Sequence, residues 1–301
     1  MKIQNNNLDK QKHLFVLQKM GSIFINDVLS EKNIKKFQSF VWNFYKKFGR
    51  NFEWRESITP YRIVVSEIML QQTQTSRVIP KFLAFIDKFS TFSELAYAEQ
   101  AEVLKLWQGL GYNRRALALH SIAKKVVTEF NGILPDNPDT LETFPGIGKA
   151  TAASICAFAF NRSTIFIETN IRAVFTHYFF QDQDFVADKD LMPLIGATVD
   201  KKDPRQWYYA LMDIGVILKK IYPNLGKKNK HYTKQSKFIG SNRQIRGALI
   251  KLLLKKPLTI DECKKKLQHL PQLSDEKFDK IVNQLCSEGF IIKKNKNLFL
   301  L

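Results

Sequence analysis

A chain of 301 residues is long enough for about two ordinary domains and a sizeable core, which excludes a small scaffold held together by staples. Lysine and arginine number 47 against 28 acidic residues, a formal net charge of +19, while the 45% hydrophobic and 12% aromatic content is too high for a disordered polycation. Such an excess gathers polyanions and drives association by counterion release, which points first to nucleic acid and second to an anionic membrane surface.

No uninterrupted apolar run reaches the ~18 residues of a spanning helix, and Met1 to Lys10 is polar, without the apolar stretch of a secretory signal. The expected location is cytoplasmic and nucleoid-associated, or nuclear, and the chain is not expected to be secreted or to engage a membrane. Cys156, Cys263 and Cys286 are odd in number and far apart, so they form no disulfide framework. Three thiols cannot supply the four thiolates of an iron–sulfur cluster, and there is no CxxC half of a zinc site, so neither metal nor cofactor is expected.

Along the chain the apolar periodicity is mostly helical and the fold class is mainly α. Residues 8 to 50 read as amphipathic helices. Thr59 and Pro60 form an N-cap and first-turn proline that open a helix through Gln72. Further helices are predicted at 76–89, 99–107, 113–130, 139–144, 149–161, 169–179, 188–199 and 204–220, separated by short loops with Gly, Pro and Asn. From Ile214 to Ile260 there is no acidic residue but there are twelve Lys and Arg, which marks an electrostatic footprint or a linker at about 219–241. Arg243 to Lys255, Thr259 to Gln268 and Ser274 to Gly289 then read as three helices. Phe290 to Leu301 reads as a hairpin turning at Lys294, Asn295 and Lys296. The predicted organisation is a helical core over 1–241 and a winged-helix-like domain over 242–301; a helical oligomerisation appendage fits the same helices.

Three segments carry chemistry. In Phe144-Pro145-Gly146-Ile147-Gly148-Lys149-Ala150-Thr151, two glycines one residue apart permit a tight hairpin, whose amides and the following helix N-terminus can hold a phosphate oxygen. Gly146, Gly148, Lys149 and Thr151 are therefore candidate DNA-backbone contacts, made without reading sequence. In Ser66-Glu67-Ile68-Met69-Leu70-Gln71-Gln72-Thr73, Glu67 falls between Ile63 and Val64 on a helical wheel. Desolvation there raises a carboxyl pKa, as a general acid near neutral pH requires. A buried partner for arginine, or a helix-face acid reaching solvent, fits the same position. In Ile165-Phe166-Ile167-Glu168-Thr169-Asn170, an apolar stretch ends in a carboxylate just before a helix, where an acid also satisfies the helix dipole.

Residues 51 to about 215 resemble the DNA glycosylases of the helix-hairpin-helix superfamily, most closely the MutY-type adenine DNA glycosylases. Four segments carry the resemblance: Trp54-Arg55 followed by Pro60-Tyr61; Ser66 to Gln74; Leu106-Trp107-Gln108-Gly109-Leu110-Gly111-Tyr112; and Pro145-Gly146-Ile147-Gly148. It implies a two-lobed helical fold that acts on double-stranded DNA bearing a mispaired or damaged base, the target base being flipped into a pocket between the lobes. It also implies that Glu67 protonates the adenine ring as general acid, that Glu168 with Asn170 stabilises the positive sugar, and that Trp54, Arg55 and Asp213 belong to the base pocket. Gln72 and Tyr112 match residues that enter the stack and hold the opposite strand, with Gln71 and Thr73 beside them on the DNA. One protonated and one ionised carboxyl group suit an oxocarbenium-like transition state.

The sequence departs from the family in three places. Glutamate stands at 168 where aspartate is usual, with Thr169 where glycine is usual, and a ~1 Å displacement can cost ~10²-fold in rate. The cysteine quartet after Leu211-Met212-Asp213-Ile214-Gly215 is missing, so a clusterless member is expected. The family's C-terminal β-rich domain, which recognises 8-oxoguanine, is replaced by the winged helix, whose Lys264, Lys265, Lys266, Lys293, Lys294 and Lys296 suit phosphates and which offers no evident pocket for an oxidised guanine. In strand-cleaving relatives a lysine precedes the hairpin-helix threonine; here that position is Ala150. The expected activity is monofunctional release of adenine opposite 8-oxoguanine or guanine, by a monomer. A glycosylase for uracil, mismatched thymine or hypoxanthine, and a catalytically silent duplex clamp, are the alternatives.

Overall fold

The computed structural model describes Leu17 and residues 30–181, 183, 185–228 and 237–301. The helices expected between residues 8 and 29 lie outside these residues. Helix α1, Glu31–Phe48, starts where Ser30 accepts the Asn33 amide and buries Phe37, Phe40, Val41 and Phe44, a spacing that lays one apolar stripe along a helix. The short α2, Glu53–Glu56, was not foreseen; four residues carry too little periodicity to be read. Helix α3, Pro60–Leu70, opens on Thr59, whose hydroxyl accepts the Arg62 amide. It stops two residues before the predicted end, because Gln72 adopts a left-handed backbone with φ 53°.

Then come α4 (Thr75–Lys88), the unforeseen short α5 (Phe92–Ala96), α6 (Gln100–Trp107), α7 (Arg114–Glu129) and α8 (Pro138–Glu142). After these follow α9 (Lys149–Phe160), α10 (Thr169–Phe179), α11 (Asp188–Thr198), α12 (Pro204–Ile221) and a single 3-10 turn, Leu225–Lys228. Helix α9 is buried from Ala152 to Ala159, with small residues alternating with Ile155, Cys156 and Phe158, which lets neighbouring helices close around it. Among the described residues, no helix is long and apolar enough to cross a membrane.

The C-terminal elements run α13 (Asn242–Leu253), β1 (Leu258–Thr259), α14 (Ile260–Leu267), α15 (Asp275–Ser287), β2 (Ile291–Lys294) and β3 (Asn297–Leu300). Thr259 and Glu262 cap α14 reciprocally, each side chain accepting the other's amide. Asn295 turns the hairpin with φ 53°. The expected two-stranded ribbon is corrected to three antiparallel strands in the order β1-β3-β2, with Leu258 opposite Leu298 and Ile292 opposite Phe299. Two residues of strand are too few to show alternation in a sequence. The order helix, strand, helix, helix, ribbon is that of a winged helix.

The chain packs as two units. The first comprises Met1–Glu56, Asp136–Glu142 and Ile147–Thr233; its core is an aromatic cluster in which Phe37 meets Phe175 and Trp207 edge to face. The second comprises Ser57–Pro135, Thr143–Gly146 and Lys234–Leu301, with Trp107 and Phe85 in its core. In it Glu288 receives Arg114 of α7 and Arg246 of α13, and the Gln100 amide donates to the Gly289 carbonyl at 2.8 Å.

Candidate functional site

The first unit brings together Trp54, Arg55 and Asp213. Trp54 is buried and stacks on Phe52 with centroids 4.9 Å apart. Asp213, on α12, is fully buried, and a carboxylate there needs full hydrogen bonding. It gets it from the Arg55 fork at 2.9 and 3.0 Å and from the backbone and side chain of Arg50 at 2.7 and 2.8 Å. The Arg55 guanidinium also lies 4.3 Å from the Tyr209 ring centroid. Arg50 was missed in the sequence, where only the need of a buried aspartate for a second cation could have signalled it.

Glu168 and Asn170 also meet. Glu168 is the N-cap of α10: one carboxylate oxygen accepts the amides of Asn170 and Ile171 at 2.9 and 3.1 Å, and the other accepts the Asn170 side-chain amide at 3.3 Å. The extra methylene over aspartate lets the carboxylate curl back onto these amides, an arrangement that suits negative charge at a helix start. Thr169 enters the helix with no positive φ, so glycine is not required there. The Asn170 Oδ1 is buried and has no hydrogen-bond partner among the described residues. One turn beyond Gly215, which abuts Asn170, stands Lys219; burial pushes its ammonium below the usual lysine range, while the Glu168 charge opposes that shift.

The hairpin is shaped by one glycine, not two. Gly146 has φ 75°, and a β-carbon there would stand 2.9 Å from that of Ala118. Gly148 has ordinary extended backbone and open space where its β-carbon would be, so it supplies access rather than conformational freedom. Gly148 caps α9 with no side-chain hydrogen bond, and exposed Lys149 and half-buried Thr151 follow. First-turn amides without a side-chain cap are a natural seat for a phosphate oxygen.

In the second unit Glu67 is half-buried on α3 between buried Ser66 and Ile68. The segment after it is organised by Arg115, which the sequence did not single out. Its guanidinium donates to the carbonyls of Ile68, Met69 and Gln71 at 2.9, 2.9 and 2.6 Å. It also donates to the Thr73 hydroxyl at 2.9 Å and the Gly111 carbonyl at 3.1 Å. Burial lowers its pKa to about 10. One side chain thus ties the Gln71-Gln72-Thr73 turn to the Gly111-Tyr112 turn. Both turns hold a non-glycine residue in the left-handed region, Gln72 at φ 53° and Tyr112 at φ 49°. Each such residue costs on the order of 1–3 kcal/mol and marks a place where the surroundings impose a shape. Gln71 donates to the Gly146 carbonyl at 3.3 Å, joining this turn to the hairpin.

Helix α13 walls a cavity of about 950 Å³ together with Gln72 and Tyr112. The three cysteines sit on α9, α14 and α15, and burial raises the thiols of Cys156 and Cys263 to about 11. Three protein thiols do not fit a four-thiolate cluster.

Residues 65–194 match the model of the HhH-GPD superfamily base excision DNA repair proteins. The chain is 33% identical over 243 residues to a protein of Mycolicibacterium smegmatis named adenine DNA glycosylase, covering 70% of this chain and 78% of that one. Proteins of the same name from Buchnera aphidicola subsp. Baizongia pistaciae and Homo sapiens are 35% and 31% identical, each over 60% of this chain. The chain spans 52% of the Buchnera protein and 36% of the human one. Among solved structures, a thermostable thymine-DNA glycosylase superposes with a TM-score of 0.56 at 26% identity, over 64% of this chain and 89% of that one. Endonuclease III in a non-covalent complex with DNA superposes with a TM-score of 0.50 at 15% identity, over 60% of this chain and 84% of that one, a likeness of fold.

Proposed function

The chain belongs to the HhH-GPD superfamily of base excision DNA repair proteins, and from that premise we propose that it is a monofunctional adenine DNA glycosylase acting on adenine mispaired with 8-oxoguanine or guanine. In this reaction Glu67 donates a proton to the ring of the flipped adenine, the bond from the sugar C1′ to the base nitrogen breaks, and the Glu168 carboxylate stabilises the positive sugar. Water then adds at C1′, leaving free adenine and an abasic site.

The observation that carries the proposal is a pair of carboxylates in unlike surroundings. Glu67 is half-buried on α3, flanked in the chain by buried Ser66 and Ile68, and Glu168 is fastened by three N–H donors at the start of α10. A DNA clamp needs neither. Trp54 and Arg55 are assigned to the base pocket, with Asp213 fixing the Arg55 fork. Gly146, Gly148, Lys149 and Thr151 are assigned to the phosphates of duplex DNA.

The likeness to the thymine-DNA glycosylase structure favours a second reading, release of thymine from mismatches. One experiment separates the two. Duplexes carrying single mismatches or lesions are treated with the protein and then with hot alkali. Cleavage at adenine opposite 8-oxoguanine and guanine is expected; cleavage only at thymine in G·T pairs would overturn the adenine assignment.

A further inference from the structure

Helix α13 has two unlike faces. Ile245, Leu249, Ile250 and Leu253 are buried, and the helix packs on α14, α15 and β3 of its own domain. What it turns to Gln72 and Tyr112 across the cavity of about 950 Å³ is Arg243, Arg246 and Lys251. Among the described residues none that lines this cavity is acidic, so its basic walls repel one another and gain from an anion that approaches. The apolar surface of α13 is thus spent inside the C-terminal domain, and little of it is left to seal the domain onto the helical lobe.

Polar contacts hold the two together. Glu288, just after α15, accepts from the Arg114 Nε of α7 at 2.8 Å. On its own side it is fixed by Arg246, whose Nη1 donates to it at 3.2 Å and whose guanidinium lies 5.6 Å from the Phe290 ring centroid. Arg243 donates to the Tyr112 hydroxyl at 2.8 Å, and Gln100 donates to the Gly289 carbonyl at the same distance. The Arg114 side chain is 71% exposed, so water and salt reach its ion pair. An attachment of this kind opens at small cost. A phosphate can also replace the Glu288 carboxylate on Arg114 like for like, since a guanidinium fork accepts either anion.

The lobe surface that α13 faces is where a duplex has to come. Gln71 and Gln72 directly follow α3, the helix that carries Glu67, and Gln71 is bonded to the hairpin at Gly146. A space of about 950 Å³ admits a small molecule but not a double helix. We propose that the docked C-terminal domain is an autoinhibitory latch: with Glu288 on Arg114 and Arg243 on Tyr112, α13 closes these turns, and duplex DNA opens the latch by taking Arg114 onto its phosphates. Only open chains bind duplex productively, so the latch weakens apparent affinity by the open fraction. The proposal rests on the glycosylase reading for the path of the duplex, but opening can be followed without base release.

The test uses the full chain and follows duplex association by fluorescence anisotropy beside base release. Glu288→Gln loosens the hold on Arg114 and should raise association rate and apparent affinity by about tenfold. Glu276→Gln removes the same charge from an exposed position on α15 and should change both by less than about twofold. Closing the latch covalently carries the opposite expectation. In Arg114→Cys/Glu288→Cys with Cys286→Ser, the other two cysteines being buried, a short thiol-cleavable bis-maleimide should join the two positions. The linked protein should associate with duplex and release base about tenfold more slowly, and cutting the linker should restore both rates. Equal association rates in Glu288→Gln and Glu276→Gln would overturn the proposal, as would a linked protein that binds duplex as fast as its cleaved form. If no protein releases a base from any duplex, the glycosylase reading fails, and the association rates still decide whether the domain is a latch.

Discussion

Gly215 lies so close to Asn170 that a β-carbon built on it would stand 2.2 Å from the Asn170 carbonyl oxygen and 2.7 Å from its Cβ. The obstacle is largely backbone, so it cannot rotate away. Helix α12 can therefore approach the start of α10 only through a residue without a side chain, and that approach places the Lys219 turn beside the Glu168 cap. Gly215→Ala is expected to cost on the order of 1–3 kcal/mol and to displace Glu168 and Asn170. Thermal unfolding should show a lower Tm, and base release should fall further than the lost stability accounts for. Gly247→Ala is the control: its β-carbon meets nothing within 4 Å inside α13, and removing a helical glycine there should raise stability by up to about 1 kcal/mol. If the two variants melt alike, the close approach has no energetic meaning.

Glu67→Gln keeps the shape of the side chain and removes the titrating proton. With Ser66, Ile68 and Met69 buried around it, α3 should fold as before. Duplex affinity is expected to be nearly intact while base release drops by orders of magnitude. Parallel loss of binding and activity would make Glu67 a structural residue.

Much of this was legible in the sequence because it depends on local chemistry. Thr169–Phe179 follows from apolar spacing after Glu168, and Thr59, Thr259 and Ser274 announce helices by their hydroxyls. What was not legible depends on partners far along the chain. Arg115 looks like one more surface cation until Gln71, Thr73 and Gly111 converge on it. Arg50 looks like a loop residue until Asp213 is found buried beside it. The single strand β1 needed β3 to exist.

The residue where strand-cleaving relatives carry a lysine is Ala150, so no amine at that position can attack the sugar. The expected product is an intact strand with an abasic site, which breaks only on heating in alkali. Borohydride should trap no covalent complex in good yield. A trapped adduct would overturn this, and peptide mapping would then point to Lys149 at the start of α9 or to Lys219, whose amine is desolvated near Glu168.

The attachment of the C-terminal helices should respond to acid through Glu288. Hydrogen bonds from Arg114 hold its carboxyl below the usual range; burial works against them, and Arg246 adds to the lowering. A carboxyl group depressed in the folded state contributes stability that is fully present above its unfolded value, about 4.3, and is lost as pH falls through the lower folded value. Between about pH 7 and pH 5 the contribution should be constant; below about pH 4 it should fade. Glu288→Gln cannot accept two guanidinium groups as an anion does, so at neutral pH it should melt below the wild type, with a gap that closes toward about pH 3. Thermal midpoints of both proteins across that range test the assignment. A gap that stays constant into acid would mean that Glu288 holds α7 and α13 by packing and not by charge.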